Sequence, residues 1–349
     1  MGWYGTDAVD AALKRTEKAL IEPFDFWKWI RLGIILFFIG GSGMGFLNFN
    51  FPANYNLPSE DRTEGAPSTE EFLNQINQLW EQYNTYILIA ISVIVFIILL
   101  FILISSIMEF VFVESLVTNR VAIRAHFKKY LRPGFDLFII RIVLGICILS
   151  LFILAMLPIV QQFLEPRITV TPGMILGGIL WFIAVMLLLA VVSGLIMSFI
   201  SLAIPVAMYQ EISITAAIRK ILGRFREDWK QILVYWAVRV IAWIGASIAV
   251  GIAALILFVV LFLILLIPAL ILYFMLSALG HGSGSIVFWA VMIPYGIIAA
   301  GVLILFMLIV SVPVPAFMKY HLLTFLQKWY PAVSIPLFDS GDTSAQPSL

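Results

Sequence analysis

Residues 86–113 read YILIAISVIVFIILLFILISSIMEFVFV. No charge interrupts this run before Glu109, and it exceeds the roughly 20 apolar helical residues needed to cross a hydrocarbon core of about 30 Å. Five further runs share its character: 29–47, 137–160, 174–208, 231–277 and 286–318. Across 349 residues, 62% are hydrophobic and only 12% charged, and the mean hydropathy is +1.05. Length alone suggests two soluble domains, but this composition overrides that reading. The sequence predicts an all-α integral membrane protein of about six transmembrane helices, in one multi-pass domain over 1–331.

The net charge of +1 argues against nucleic acid as a partner. One cysteine, Cys147, excludes an intramolecular disulfide and a cysteine-based metal site. Residues 1–28 are rich in charge and lack the short apolar core of a cleavable signal, so the first run is expected to stay as an anchor.

The distribution of the 21 Lys and Arg residues is more informative than their sum. Lys14, Arg15, Lys18, Lys28 and Arg31 flank the first run. Arg120, Arg124, Lys128, Lys129, Arg132 and Arg141 join the second run to the third. Arg219, Lys220, Arg224, Arg226, Lys230 and Arg239 join the fourth to the fifth, and Lys319 and Lys328 follow the sixth. Only Arg62 and Arg167 fall in the alternate loops. The positive-inside rule then predicts a cell-membrane protein with both termini cytoplasmic and an even number of crossings, and the acidic segment 48–85 lies outside. The run 231–277 is too long for one simple crossing, so one long helix is expected, tilted or broken, with Pro268 as the break; a further crossing or a re-entrant segment within it stays open.

The joining segments resemble one another. Pro23-Phe24-Asp25-Phe26 leads to Arg31, Gly134-Phe135-Asp136-Leu137 to Arg141, and Glu227-Asp228-Trp229 to Arg239. Each places an Asp suited to capping a helix beside an aromatic suited to headgroup level. Glu114, Glu211 and His321 occupy comparable places where inward runs end. A threefold internal repeat follows: an interfacial amphipathic helix, an outward span, an outer loop and an inward span. The interfacial helices carry apolar faces of Val9, Leu13, Thr16 and Leu20, with Thr6 as cap; of Ile123, Phe127, Tyr130 and Leu131; and of Ile214, Ile218, Leu222, Phe225 and Trp229. Arg120, Arg124, Lys128, Lys129, Arg219, Lys220 and Arg224 form a basic belt for anionic lipid headgroups; ordinary topology determinants are the plainer reading.

Ser68 and Glu71 resemble a capping box before an outer helix bearing Phe72, Ile76, Leu79, Trp80 and Tyr83. The tail 332–349, rich in Pro, Ser and Asp, is expected to be disordered and cytoplasmic. His126, His281 and His321 lie far apart and carry no metal-ligand spacing. The glycine clusters at 40–45 and 282–285 match no phosphate or dinucleotide motif and read as turns. Neither a cofactor nor a catalytic residue is expected.

Ionisable groups at membrane depth are costly without partners. Glu109, Glu114, Glu211, Arg141, Arg239 and His321 are the candidates. One reading places Glu109 and Arg239 in the cavity of a transporter or channel. The other pairs Glu109 with an arginine of a neighbouring span and leaves Glu114, Glu211 and Arg141 at headgroup level.

Phe112-Val113-Glu114-Ser115-Leu116-Val117, Ile123-Arg124, Gly134-Phe135-Asp136-Leu137-Phe138 and Pro23-Phe24-Asp25-Phe26-Trp27 together resemble uncharacterised archaeal and prokaryotic multi-pass membrane proteins. These are similar to the membrane domain carried by some glycerophosphodiester phosphodiesterases. In those enzymes catalysis belongs to a separate soluble barrel, whose His and acidic metal motifs this sequence lacks. The resemblance implies a membrane scaffold concerned with lipids or with a membrane-protein partner, a second copy included. The expected function is a non-enzymatic, lipid-contacting scaffold; the alternative is a secondary transporter or channel.

Overall fold

A computed structural model of the protein describes residues 3–41, 69–164 and 172–339. Ten helices follow one another among them: α1 (Tyr4–Leu20), α2 (Phe26–Gly41), α3 (Thr69–Val117), α4 (Ile123–Lys129), α5 (Leu131–Leu164), α6 (Pro172–Tyr209), α7 (Ile214–Glu227), α8 (Trp229–Ala278), α9 (Ile286–Val310) and α10 (Pro313–Trp329). Among the described residues there is no β-strand.

Five stretches are long and apolar enough to cross a membrane: Glu81–Val117, Leu131–Gln161, Gly173–Tyr209, Trp229–Ala278 and Ile286–Trp329. In each, the most apolar eighteen-residue window is at most 6% buried inside the chain. Continuous apolar walls turned outward fit lipid as the surrounding solvent, because helices satisfy their own backbone polar groups there. The arrangement is compatible with a multi-pass membrane protein. The first predicted run is represented by α2, 16 residues long. Its continuation beyond Gly41, the loop around Arg62, the cap residue Ser68 and Arg167 lie outside the described residues.

The core gathers at one end of the long helices. It joins Leu32 and Ile35 of α2, the last turns of α3 from Ile107 to Val117, Leu137 of α5, Leu202 to Val206 of α6, Ile232 and Tyr235 of α8, and much of α10 from Ala316 to Trp329. Beyond it, α2 packs on α3, α5 on α6 and α8 on α9, and each pair follows a short helix: α1, α4 or α7. A Cβ on Gly33 would stand 2.6 Å from the Leu308 carbonyl oxygen. Only glycine lets α2 and α9 approach so closely.

Several expectations change. Pro268 does not break its run: α8 continues through it as one helix of 50 residues, about 75 Å long at 1.5 Å per residue. Proline removes one backbone bond, which long apolar helices tolerate. Asp25 does cap α2, accepting from the Trp27 and Lys28 backbone N–H groups at 2.9 and 3.2 Å. Asp136 lies inside α5, and Asp228 makes no side-chain cap bond. Thr6 is not a cap either, since its hydroxyl donates to the Trp3 carbonyl.

The face of α1 is turned from its predicted setting. Gly5, Ala8, Ala12, Ala19 and Leu20 are buried, while Leu13 is exposed. Close packing on α8 and α10 selects small side chains and moves the larger ones to the rim. In α7 the buried positions are Ile214, Ala217 and Ile221, and Leu222 and Trp229 are exposed.

The first part of the predicted disordered tail is seated in the core. Val333, Ile335 and Leu337 are buried. The Phe338 N–H donates to the Val117 carbonyl at 3.0 Å, and Arg15 Nε meets Asp339 Oδ2 at 2.7 Å. Alternating apolar residues give an extended segment one buried face despite its polar composition. Residues 340–349 lie outside the described ones.

Candidate functional site: a buried ionic cluster

The last turns of α3 carry Ser105, Ser106 and Glu109 into the core, all buried. Glu109 ion-pairs through Oε2 with Arg141 Nη2 of α5 and through Oε1 with Lys319 Nζ of α10 at 3.5 Å. The Arg141 guanidinium also donates to Ser106 Oγ at 3.2 Å and Ser105 Oγ at 3.5 Å. The side chains of Glu109, Arg141 and Lys319 are only 10, 16 and 11% exposed. One carboxylate thus ties three helices together across chain separations of 32 and 210 residues.

Arg239 of α8 extends the cluster. It donates to the Tyr235 hydroxyl, lies over the Tyr235 ring at 5.7 Å and acts electrostatically on Lys319 and His321. Tyr235 is stacked between His321 and Phe325, at 5.3 and 4.1 Å between ring centres. His321 is fully buried, with Nε2 3.0 Å from the Gly5 carbonyl. Two cations, Arg141 and Lys319, therefore share the Glu109 carboxylate, and Arg239 stands beside them on Tyr235. Of the two arrangements open for Glu109, pairing with an arginine of a neighbouring span is the one found. Arg141 turns inward to Glu109, which offers it a partner in the core.

Glu114 anchors a second group nearer the surface. Lys129 Nζ lies 2.9 Å from Glu114 Oε1, and the Tyr209 hydroxyl donates to Oε2 at 3.2 Å. The Tyr130 hydrogen bond, together with Glu114, raises the Lys129 pKa, and burial raises that of Tyr130. A neighbouring cleft of about 490 Å³ is lined by Lys129, Arg132, Asp136, Glu211 and Ser213, among others. Glu211 is exposed, with a φ of 52° where α6 turns into α7. Glu114, Glu211 and His321 therefore occupy three different environments: a paired carboxylate, an exposed turn and a buried ring.

His126 Nδ1 lies 3.5 Å from Ser115 Oγ, and burial lowers its pKa, opposed by Glu114. The folded state favours the neutral ring, so folding binds fewer protons than the unfolded chain, and stability falls as pH drops below about 6.5. His126→Gln should flatten the acid side of the unfolding-temperature profile between about pH 7 and 5. An unchanged slope would contradict this.

In the basic belt, Arg120, Arg124, Lys128, Arg219 and Lys220 stand exposed. Lys220 donates to Gln210 at 2.8 Å, and Arg224 pairs with Glu227 at 2.8 Å. Sequence reasoning missed Lys319, Tyr235 and the serine pair as members of the core cluster. Hydropathy alone assigns a lysine after an apolar run to the headgroups.

Apolar outward walls beyond a core at one end are compatible with a helical multi-pass membrane protein. The chain belongs to the family of unknown function DUF7544, whose profile matches residues 3–335. No curated protein and no solved structure matches it.

Proposed function

We propose that the protein is a non-enzymatic scaffold of the cell membrane that embeds three helical hairpins in lipid and braces them at a charged cytoplasmic base. The observation that carries this reading is the outward exposure of the most apolar windows, at most 6% buried, set against the dense core at one end. Such walls seat lipid or the apolar surface of a second membrane protein, including another copy of the chain.

In this reading α2 completes a sixth span, so both termini lie on the cytoplasmic side with the core. Helices α1, α4 and α7 are interfacial, and each begins one unit of a threefold repeat; the recurrence of one short helix before each packed pair supports this. The likeness to the membrane domains of glycerophosphodiester phosphodiesterases adds support, because catalysis there is housed elsewhere. The alternative of a transporter is weakened by the pairing of Glu109 with Arg141 and Lys319, which commits its charge to holding helices together.

Exposed Arg120, Arg124 and Lys128 belong to a belt that attracts anionic headgroups, at about 1 kcal/mol per well-placed charge. Changing all three to Glu should reduce the enrichment of phosphatidylglycerol over phosphatidylcholine around the protein in mixed-lipid nanodiscs, by about fivefold per residue at low salt. Unchanged enrichment would remove the headgroup role.

A further inference from the structure

The cleft of about 490 Å³ beside Glu114 is lined by Lys129 at the end of α4, Arg132 and Asp136 in the first turns of α5, and Glu211 in the turn between α6 and α7. Buried Phe110 and Ala207 add apolar surface to the same lining. Two cations and two anions thus meet at one cavity, and they do not neutralise one another there. Lys129 pairs with Glu114, and its side chain is still 59% exposed. Among the described residues, Arg132, Asp136 and Glu211 make no side-chain hydrogen bond or ion pair. That holds although Arg132 and Asp136 stand at the i, i+4 spacing at which such pairs form. Glu211 enters the cleft from a left-handed backbone with a φ of 52°, a strained conformation for any residue but glycine and one that recurs where ligands are clamped.

The charges of the lining sum to zero, so a simple anion or cation meets repulsion along with attraction, and a zwitterion satisfies both pairs. Arginine favours phosphate, which accepts two parallel N–H bonds from it. Carboxylates favour a primary ammonium, which has three N–H donors, over a trimethylammonium, which has none. The position of the cleft adds that the ligand is a lipid. Arg132 and Asp136 share one face of α5 with Ile139, Val143 and Ile146, at alternating spacings of four and three residues. Those three side chains are 45, 55 and 59% exposed and belong to the apolar stretch Leu131–Gln161. The face that brings charge to the cleft therefore continues as an apolar track along the span.

We propose that this cleft is a specific binding site for one zwitterionic phospholipid with a primary ammonium, of the phosphoethanolamine class. Its phosphate lies beside Lys129 and Arg132, its ammonium beside Asp136 and Glu211, and an acyl chain along Ile139, Val143 and Ile146. The inference rests on the reading that the chain spans a bilayer, but it concerns one bound lipid rather than the general attraction of anionic headgroups to the belt.

The test is native mass spectrometry of the full chain released from nanodiscs containing equal parts of phosphatidylethanolamine, phosphatidylcholine and phosphatidylglycerol. The wild-type chain is expected to retain one phosphatidylethanolamine over either competitor by about tenfold or more, the worth of one hydrogen bond to a charged group. Asp136→Asn combined with Glu211→Gln should bring the ratio of phosphatidylethanolamine to phosphatidylcholine close to unity. Both side chains are exposed, so the double variant should unfold at the wild-type temperature. Arg132→Gln should lower the retention of phosphatidylethanolamine and phosphatidylcholine alike. Excess soluble phosphoethanolamine, which lacks the acyl chain, should not displace the lipid, and changing Arg120, Arg124 and Lys128 to Glu should leave it in place. The proposal is overturned if the wild type retains phosphatidylcholine or phosphatidylglycerol as well as phosphatidylethanolamine, or if the carboxylate variant keeps the preference. It is equally overturned if only the belt variant loses the lipid, or if soluble phosphoethanolamine displaces it, which would assign the cleft to a soluble zwitterion. The belt is judged separately, by enrichment in the surrounding lipid, and bilayer placement by a probe on Cys147, so each reading can fail alone.

Discussion

Glu109→Gln should lower stability in detergent or nanodiscs by about 3–5 kcal/mol, the usual cost of removing one partner from a buried ion pair. The substitution keeps volume and one acceptor oxygen but replaces the other with an N–H donor and deletes the charge that Arg141 and Lys319 share. It leaves those two cations and Arg239 together in a desolvated core, where like charges repel strongly. Adding Lys319→Met to Glu109→Gln removes one of the cations, so the double variant should recover part of the loss. Lys319→Met alone should cost less than Glu109→Gln alone, because it relieves part of the excess positive charge. A Glu109→Gln chain that unfolds within about 1 kcal/mol of wild type would show that the cluster does not hold the base together.

Ending the chain after Tyr330 should have an effect of similar or greater size. It removes Val333, Ile335 and Leu337 from buried sites, the hydrogen bond of Gln327 to the Ile335 carbonyl at 2.9 Å and the Arg15–Asp339 ion pair. Fully burying each apolar side chain is worth about 1.5–3 kcal/mol as an upper estimate, and the sum rivals the whole stability of an ordinary domain. Aggregated or poorly accumulating protein is the expected outcome by size-exclusion chromatography. A chain ending after Asp339 retains all of these contacts and should behave as wild type. Equal behaviour of the two truncations would contradict the seating of this segment.

Charge sorting separated the joining segments from the long apolar runs. The segments rich in Lys and Arg are those that meet in the base, and the long uncharged runs are the exposed walls. Hydropathy carried no information on which basic groups turn inward. Arg141 and Lys319 each border an apolar run, and their partner Glu109 lies 32 and 210 residues away along the chain. Periodicity gave α1 one face, Val9, Leu13, Thr16 and Leu20. Leu20 is buried and Val9 packs against the core, but the closest approach is made by Gly5, Ala8 and Ala12, because glycine and alanine allow helices to approach closely. The segment Val333-Ser334-Ile335-Pro336-Leu337 did carry a signal, an apolar residue at every second position, which the polar composition of the surrounding tail obscured.

The central claim is that the long helices present their apolar walls to lipid beyond a core at one end. The chain's single cysteine, Cys147 of α5, is exposed and lies within one of these walls. A nitroxide attached to that native thiol in nanodiscs reports the environment directly, through relaxation by oxygen, which partitions into hydrocarbon, and by a water-soluble nickel chelate. Strong relaxation by oxygen and little by the chelate are expected. Strong relaxation by the chelate, or protection from both reagents, would place this wall in water or in a protein interior and contradict it.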